Sequence, residues 1–364
     1  MSRLHDLYNE QGQSPWLDNL RRGWITSGEL DRWVERGVRG LTSNPSIFQK
    51  AMSDTDAYDT ELRSLVDGGS SIVDSYWSLV TTDIEGALAA LRPVYDSSDG
   101  GDGYVSVEVS PELAHDTDGT IAAAKELDAR IAEPNLYIKI PGTEAGIPAV
   151  EAATAAGISV NVTLLFSVER HQAIAEAYLR GLEAREGDLS NISSVASFFI
   201  SRVDTEVDQA LTTIGTDAAL ALRGQAAVAQ AQLAYALFTD QFSGPRWDAL
   251  AARGARLQRP LWASTSTKNP DYPDTLYVDE LIGPDSVNTL PDNTLASFED
   301  HGTVARTIDV DVDAARKLLD DVAEIGVDMP AIARKLEDAG VAGFSKSFDE
   351  LLGTLGDRAE NLKQ

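Results

Sequence analysis

The sequence predicts an α/β fold, a (β/α)8 TIM barrel with additional helices outside the barrel. Three observations predict it. Short apolar runs alternate along the chain with longer helical patterns, the order produced by parallel strands joined through crossover helices. The runs number eight, which suits a closed barrel. Five successive runs, the second to the sixth, carry a polar side chain inside or at the end of an otherwise apolar stretch. Barrels assemble sites in this way, from the C-terminal ends of several strands.

The elements follow in order. Trp16-Leu17-Asp18 is the first candidate strand, with a helical pattern at 28–36. Val38–Thr42 is the second, followed by helices at 54–66 and 70–92. Val105–Val109 precedes a helix at 117–131, Leu136–Ile140 one at 144–156, and Ser159–Leu165 one at 168–186. Ser194–Phe199 precedes a helix at 201–213. Pro260–Ser264 and Ser286–Leu290 complete the set, with helical patterns at 274–281 and 292–300. Two regions exceed the needs of a barrel. The Ala-rich stretch 216–242 has no internal proline and reads as one long helix; 311–356 reads as two or three helices. Both look like helices packed outside the barrel. No repeat and no linker divides the chain, so one domain spanning 1–364 is expected.

Composition bounds the function. The 364 residues include 30 Lys and Arg against 58 Asp and Glu, a formal net charge of −28. That argues against nucleic acid, whose binding rests on cationic contacts to phosphate. No apolar stretch of 18 or more residues predicts a membrane span, and the N-terminal residues lack an apolar signal core, so a cytoplasmic protein is expected. There is no cysteine, which removes thiol nucleophiles and thiolate metal sites. His5, His115, His171 and His301 have no metal-ligand spacing, so no metal is expected. Asp96-Ser97-Ser98-Asp99-Gly100-Gly101-Asp102-Gly103 lacks the acidic ligand that closes a calcium loop and reads as a polar turn.

The chemistry is carried by polar residues set into apolar strands. Lys139, in Leu136-Tyr137-Ile138-Lys139-Ile140-Pro141, is the sharpest anomaly. Lysine is almost never fully buried without a partner or a purpose, and a buried amine that gives up its proton is a nucleophile for carbonyl carbon. It could instead reach solvent from a strand end or pair with a buried carboxylate. Glu108, in Val105-Ser106-Val107-Glu108-Val109, suits a general acid/base or a structural partner for a barrel cation. Asn161 and Thr163 are two apart and share a strand face, and Ser197 sits alike in its own strand. These three suit hydroxyl or water binding, or mutual hydrogen bonding. Asp18 and Asn44 follow strands and could act in a site or cap turns and helices. Arg202 and Lys268 lie just past the sixth and seventh strands, where cations and free backbone N–H groups favour phosphate.

Taken together, these segments resemble the transaldolases. The resemblance rests on Gly40-Leu41-Thr42-Ser43-Asn44-Pro45-Ser46-Ile47-Phe48, Leu136-Tyr137-Ile138-Lys139-Ile140-Pro141-Gly142-Thr143 with Gly146-Ile147 following, and Asn161-Val162-Thr163-Leu164-Leu165-Phe166-Ser167. It continues through Val195-Ala196-Ser197-Phe198-Phe199-Ile200-Ser201-Arg202-Val203-Asp204 and Leu261-Trp262-Ala263-Ser264, over nearly the whole chain, in a form most similar to actinobacterial-type members. The resemblance implies a class I aldolase barrel of the non-oxidative pentose phosphate pathway, without metal or organic cofactor. It implies transfer of a dihydroxyacetone unit from sedoheptulose 7-phosphate to glyceraldehyde 3-phosphate, giving erythrose 4-phosphate and fructose 6-phosphate. Lys139 is then the Schiff-base lysine, and Glu108 the acid/base acting through a water that Thr163 helps hold. Asp18 moves a proton at the sugar hydroxyl. Asn44, Asn161 and Ser197 bind substrate, and Arg202 binds the phosphate. Lys268 stands where many members carry arginine, keeping the charge without the bidentate fork. A transferase of this kind must also keep bulk water from releasing the three-carbon unit early.

Two alternatives remain at this level. A fructose 6-phosphate aldolase shares barrel and lysine but releases free dihydroxyacetone; such chains are usually much shorter. A sugar-phosphate-binding barrel without catalysis would form no imine. The expected partners are small sugar phosphates, with no nucleic acid and no membrane, for a monomer or a homodimer.

Overall fold

The structure is a computed structural model that describes residues 2–53 and 55–362. Its strands are β1 (Gln13–Leu17), β2 (Leu41–Thr42), β3 (Val105–Glu108), β4 (Leu136–Pro141), β5 (Val160–Leu165), β6 (Ser194–Phe199), β7 (Gln258–Ala263) and β8 (Ser286–Leu290). They pair in parallel and in chain order, and β1 closes on β8. The expected (β/α)8 barrel with extra helices is thus the fold. Every residue of β3 to β6 is buried, which is why these strands read as unbroken apolar runs: one face meets the barrel interior and the other the helices.

Strand limits shift where packing, not hydropathy, decides them. The first strand begins at Gln13 and leaves Asp18 just beyond its end, its N–H donating to the Leu290 carbonyl at 2.8 Å. The second contracts to Leu41–Thr42, although Arg39 N–H still donates to the Pro15 carbonyl. The helix expected at 54–66 begins at Asp59; Asp54 lies outside the described residues. Helices at Arg3–Gln11, Arg22–Thr26, Pro45–Ser53 and Gly244–Ala251 were not expected.

The Ala-rich stretch 216–242 is a correction: it is two helices, Asp217–Ala221 and Ala226–Gln241. The break is at Gly224, whose left-handed φ of +73° suits glycine. Two carboxylates hold it there. Asp208 accepts the Gly224 N–H at 2.8 Å, and Asp204 accepts the Ala227 N–H at 2.8 Å. Helix propensity is a weak prior that such tertiary contacts override. The region 311–356 resolves into two helices, Val312–Glu324 and Met329–Leu362.

Asp204 also accepts the Tyr277 hydroxyl at 2.8 Å and so ties the helix that begins at Ser201 to the segment after β7. Burial is the largest influence on its carboxyl and, with the Asp208 charge, pushes it up to about 6 against those two hydrogen bonds. A carboxyl held above its ordinary 3.8 binds its proton more tightly folded than unfolded. Its contribution therefore costs stability as pH rises from about 4 to about 6 and costs it fully above, on the order of 3 kcal/mol. Asp204→Asn is expected to flatten the fall in unfolding free energy across that window, read by urea unfolding at several pH values. Equal pH slopes in both proteins would contradict this account.

At the N-terminal end of the barrel, Asp102 belongs to the segment read as a polar turn, yet it is buried as an acceptor hub. It receives Trp16 Nε1 at 2.8 Å, Arg39 Nε at 2.9 Å and the Ser14 hydroxyl, with Arg259 Nη2 at 3.4 Å. Tyr104 and Tyr137 stack beside it at 4.1 Å. These contacts close the barrel interior at its N-terminal end. Among the described residues no helix is long and apolar enough to cross a membrane, and no group of three His, Asp or Glu is placed to hold a metal ion.

Candidate active site

Register brings the predicted residues together. Glu108 pairs across with Lys139, Lys139 with Asn161, and Pro141 with Thr163. Because strand side chains alternate, this sets one inward face along three neighbouring strands. Lys139 is 4 % exposed and Glu108 5 %. Lys139 Nζ lies 3.4 Å from Glu108 Oε2 and donates to the Ser43 carbonyl at 3.1 Å. Ser43 is held in that pose because its own hydroxyl donates to the Ser106 carbonyl at 2.7 Å. The lysine is therefore paired with a buried carboxylate, one of the readings its strand left open, and it also opens on a cavity.

That cavity, about 190 Å³, is lined by Asp18, Asn44, Lys139, Thr163, Ser197, Arg202 and Lys268 among the expected residues. Glu108 and Asn161 are the exceptions. Glu108 stands beside Lys139 beneath the lining. Asn161 is fully buried, its amide donating to Ser106 Oγ at 2.9 Å while its carbonyl accepts the Ser197 hydroxyl at 2.7 Å. Asn44 does two jobs: it lines the cavity, and its Oδ1 accepts the Ile47 N–H at 3.0 Å to cap the helix Pro45–Ser53.

Electrostatics divide the site into two carboxyl environments and a cationic rim. Desolvation raises the Glu108 carboxyl above its ordinary 4.5, against the attraction of Lys139 and with the push of Asp18. Neither Glu108 oxygen has a hydrogen-bond partner among the described residues, and Thr163 Oγ1 is likewise unpartnered. Asp18 is also raised by desolvation, opposed by Lys139, by the Thr42 hydroxyl that donates to it at 2.8 Å, and by Arg202 and Lys268. One carboxylate thus feels three cations. Arg202 sits in the first turn of the helix Ser201–Ile214, 5.3 Å over the Phe199 ring, and burial pulls its pKa down. Lys268 lies at the exposed rim, where partial desolvation and the Arg202 charge pull it below 10.5 against Asp18. Neither cation is in an ion pair among the described residues. The local field is positive inside a chain of net charge −28.

Several lining residues were not anticipated. Thr42 links Asp18 to Thr289, 2.7 Å from its hydroxyl. Ser264 has a φ of +56°, a conformation costing roughly 1–3 kcal/mol, and its carbonyl accepts the Ser201 N–H at 3.0 Å. Strand alternation upward from Trp16 and Gly40 could have found Asp18 and Thr42 together. Phe344 comes from the helix Met329–Leu362, and no local signal marks it.

The transaldolase/fructose-6-phosphate aldolase family matches residues 15–355. Over 349 residues the chain is 51 % identical to a transaldolase of Thermobifida fusca, covering 94 % of this chain and 95 % of that protein. It is 52 % identical over 346 residues to a transaldolase of Mycolicibacterium smegmatis, covering 94 % and 93 %. It is 49 % identical over 349 residues to one of Thiobacillus denitrificans, covering 95 % and 97 %.

Proposed function

The chain belongs to the transaldolase/fructose-6-phosphate aldolase family and has the function of a transaldolase, a transferase, and from that premise we propose that its chemistry runs through a Schiff base on Lys139. One observation carries this reading: the Lys139 amine opens on a cavity beside a buried carboxyl, under a second carboxyl and two cations. Lys139 Nζ attacks the C2 carbonyl of the donor ketose phosphate, and water leaves to give a protonated imine. The imine is an electron sink, so the bond between C3 and C4 breaks as Asp18 takes the C4 hydroxyl proton and the aldehyde phosphate departs. The three-carbon enamine then attacks the acceptor aldehyde, and hydrolysis returns the amine.

Glu108 moves the protons that imine formation and hydrolysis require. Its raised carboxyl, ion-paired with Lys139 but with both oxygens free of hydrogen bonds among the described residues, supports that role, and the Thr163 hydroxyl, also free of hydrogen bonds there, supports a water held between them. Asn44 and Ser197 line the cavity at positions suited to the dihydroxyacetone hydroxyls. Asn161 acts from beneath, by holding the Ser197 hydroxyl. Arg202 and Lys268 bind the phosphate, which answers how a chain of net charge −28 takes an anionic substrate. Sedoheptulose 7-phosphate and fructose 6-phosphate are the donors this reading names, in the non-oxidative pentose phosphate pathway. Such charged sugars are held inside the cell, which supports a cytoplasmic enzyme. One chain supplies every group named here, so a single domain working as a monomer or homodimer suffices.

Two measurements follow. Dihydroxyacetone release from fructose 6-phosphate should be slow without an acceptor aldehyde phosphate, and transfer fast with one. Fast acceptor-independent release would move the chain to the aldolase side of the family. Arg202→Ala should raise KM for the ketose phosphate roughly 10- to 100-fold, the worth of a charge-assisted hydrogen bond, and change kcat less. An unchanged KM in steady-state kinetics would remove Arg202 from the phosphate site.

A further inference from the structure

The helix Met329–Leu362 lies across the C-terminal mouth of the barrel and is fastened along its length. Near its start Arg170 pairs with Glu337 at 3.3 Å. At Gly340 the backbone approaches β5 so closely that an added Cβ would lie 2.8 Å from Leu164 Cδ2. Leu164 adopts a left-handed φ of +62° where the β5–β6 register shifts. Further along, the Ser347 and Ser46 hydroxyls are 2.7 Å apart, and Phe348 meets Tyr76 edge-on at 5.2 Å. Near the end Arg358 pairs with Asp59 at 2.6 Å and donates to the Met52 carbonyl at 2.7 Å. Between these fastenings Phe344 is lowered into the cavity, 6 % exposed, its ring centroid 5.9 Å from Lys139 Nζ.

We propose that Phe344 is a specificity-determining residue that sets the partition between transfer and release of the three-carbon unit. The proposal rests on the Lys139 imine reading. In the path it suppresses, the enamine carbon takes a proton from solvent in place of an acceptor aldehyde. Water then adds at C2, the C–N bond breaks, and free dihydroxyacetone leaves as the amine returns to Lys139. An apolar ring above Nζ displaces the water this path consumes. Its face also lies within the roughly 6 Å at which an aromatic ring attracts a cation, and so favours the charged iminium. Because the ring hangs from a helix fastened at both ends, it is a fixed roof.

The test uses the full chain, with Phe344→Ala and Phe344→Leu. The readout is the ratio of dihydroxyacetone released from fructose 6-phosphate without acceptor to transfer with glyceraldehyde 3-phosphate. Borohydride trapping with fructose 6-phosphate is run on the same samples. In Phe344→Ala the ratio is expected to rise at least about tenfold, with the trapped adduct still on Lys139. Phe344→Leu keeps apolar bulk and should restore most of the unsubstituted ratio. A role in folding alone would lower release and transfer together and leave the ratio unmoved. A ratio within about twofold of the unsubstituted protein in both variants, with the adduct present, overturns the proposal and leaves the imine reading standing. No adduct on Lys139 in the unsubstituted protein overturns both. Should Phe344→Ala fail to fold, Phe344→Met, which keeps bulk on a flexible stem, is expected to raise the ratio about threefold, and an unmoved ratio there is equally fatal.

Discussion

Replacing Lys139 with alanine is expected to abolish transfer, by about 10⁴-fold or more in kcat, the scale seen when a covalent nucleophile is lost. The only other lysine lining the cavity among the described residues is Lys268, at its exposed rim. Arginine, always protonated, is no substitute nucleophile. The barrel should survive the change. Losing one partner of a buried pair costs about 3–5 kcal/mol when the other must stay charged. Glu108, already raised by burial, can take a proton instead. The variant should therefore fold, with a melting temperature that falls more steeply than in the unsubstituted protein as pH rises above the ordinary carboxyl range, because ionising Glu108 now costs more. Coupled-assay kinetics and circular dichroism melts check both halves. Transfer at the unsubstituted rate would end the Schiff-base account.

Glu108→Gln should slow turnover by roughly 10²- to 10⁴-fold, the usual contribution of a positioned acid/base. Glutamine keeps the size of the side chain, so the cavity above is preserved, but it cannot exchange a proton. Imine formation should persist, slowed, with Lys139 still modified on trapping. The part of the acidic limb of the kcat/KM profile that reports Glu108 taking up its proton should be lost with the carboxyl, leaving the part that Asp18 contributes. A kcat within a few-fold of the unsubstituted protein would make Glu108 a structural counter-charge to Lys139 and nothing more.

How legible these roles are depends on where each residue sits. Lys139 and Glu108 stand out in the sequence because parallel barrel strands are buried on both faces, so a single charge among Val, Ile and Tyr is conspicuous. The barrel follows from the same property. Asn161 and Ser197 are legible as inward polar residues suited to mutual hydrogen bonding, and they do bond to each other; that Thr163 stays out of the pair is not legible, because register across strands decides it. Asp102 is disguised by its setting: a run of Asp, Ser and Gly looks solvated, and only closure of the floor by Trp16, Arg39 and Arg259 shows that it is buried. The break at Gly224 is hidden by the alanines around it, since the carboxylates that impose it come from another helix. Phe344 leaves no trace at all. A phenylalanine on a helix reads as core, and its place over Lys139 comes from fastenings on segments some three hundred residues apart, such as Arg358 with Asp59.

The most direct test of the central claim is borohydride reduction in the presence of fructose 6-phosphate, followed by peptide mass spectrometry. The account predicts a reduced three-carbon or hexose phosphate adduct on the peptide carrying Lys139 and on no other lysine. A folded protein that binds the sugar phosphate yet yields no adduct on Lys139 would contradict it, and would leave that lysine as half of a buried ion pair.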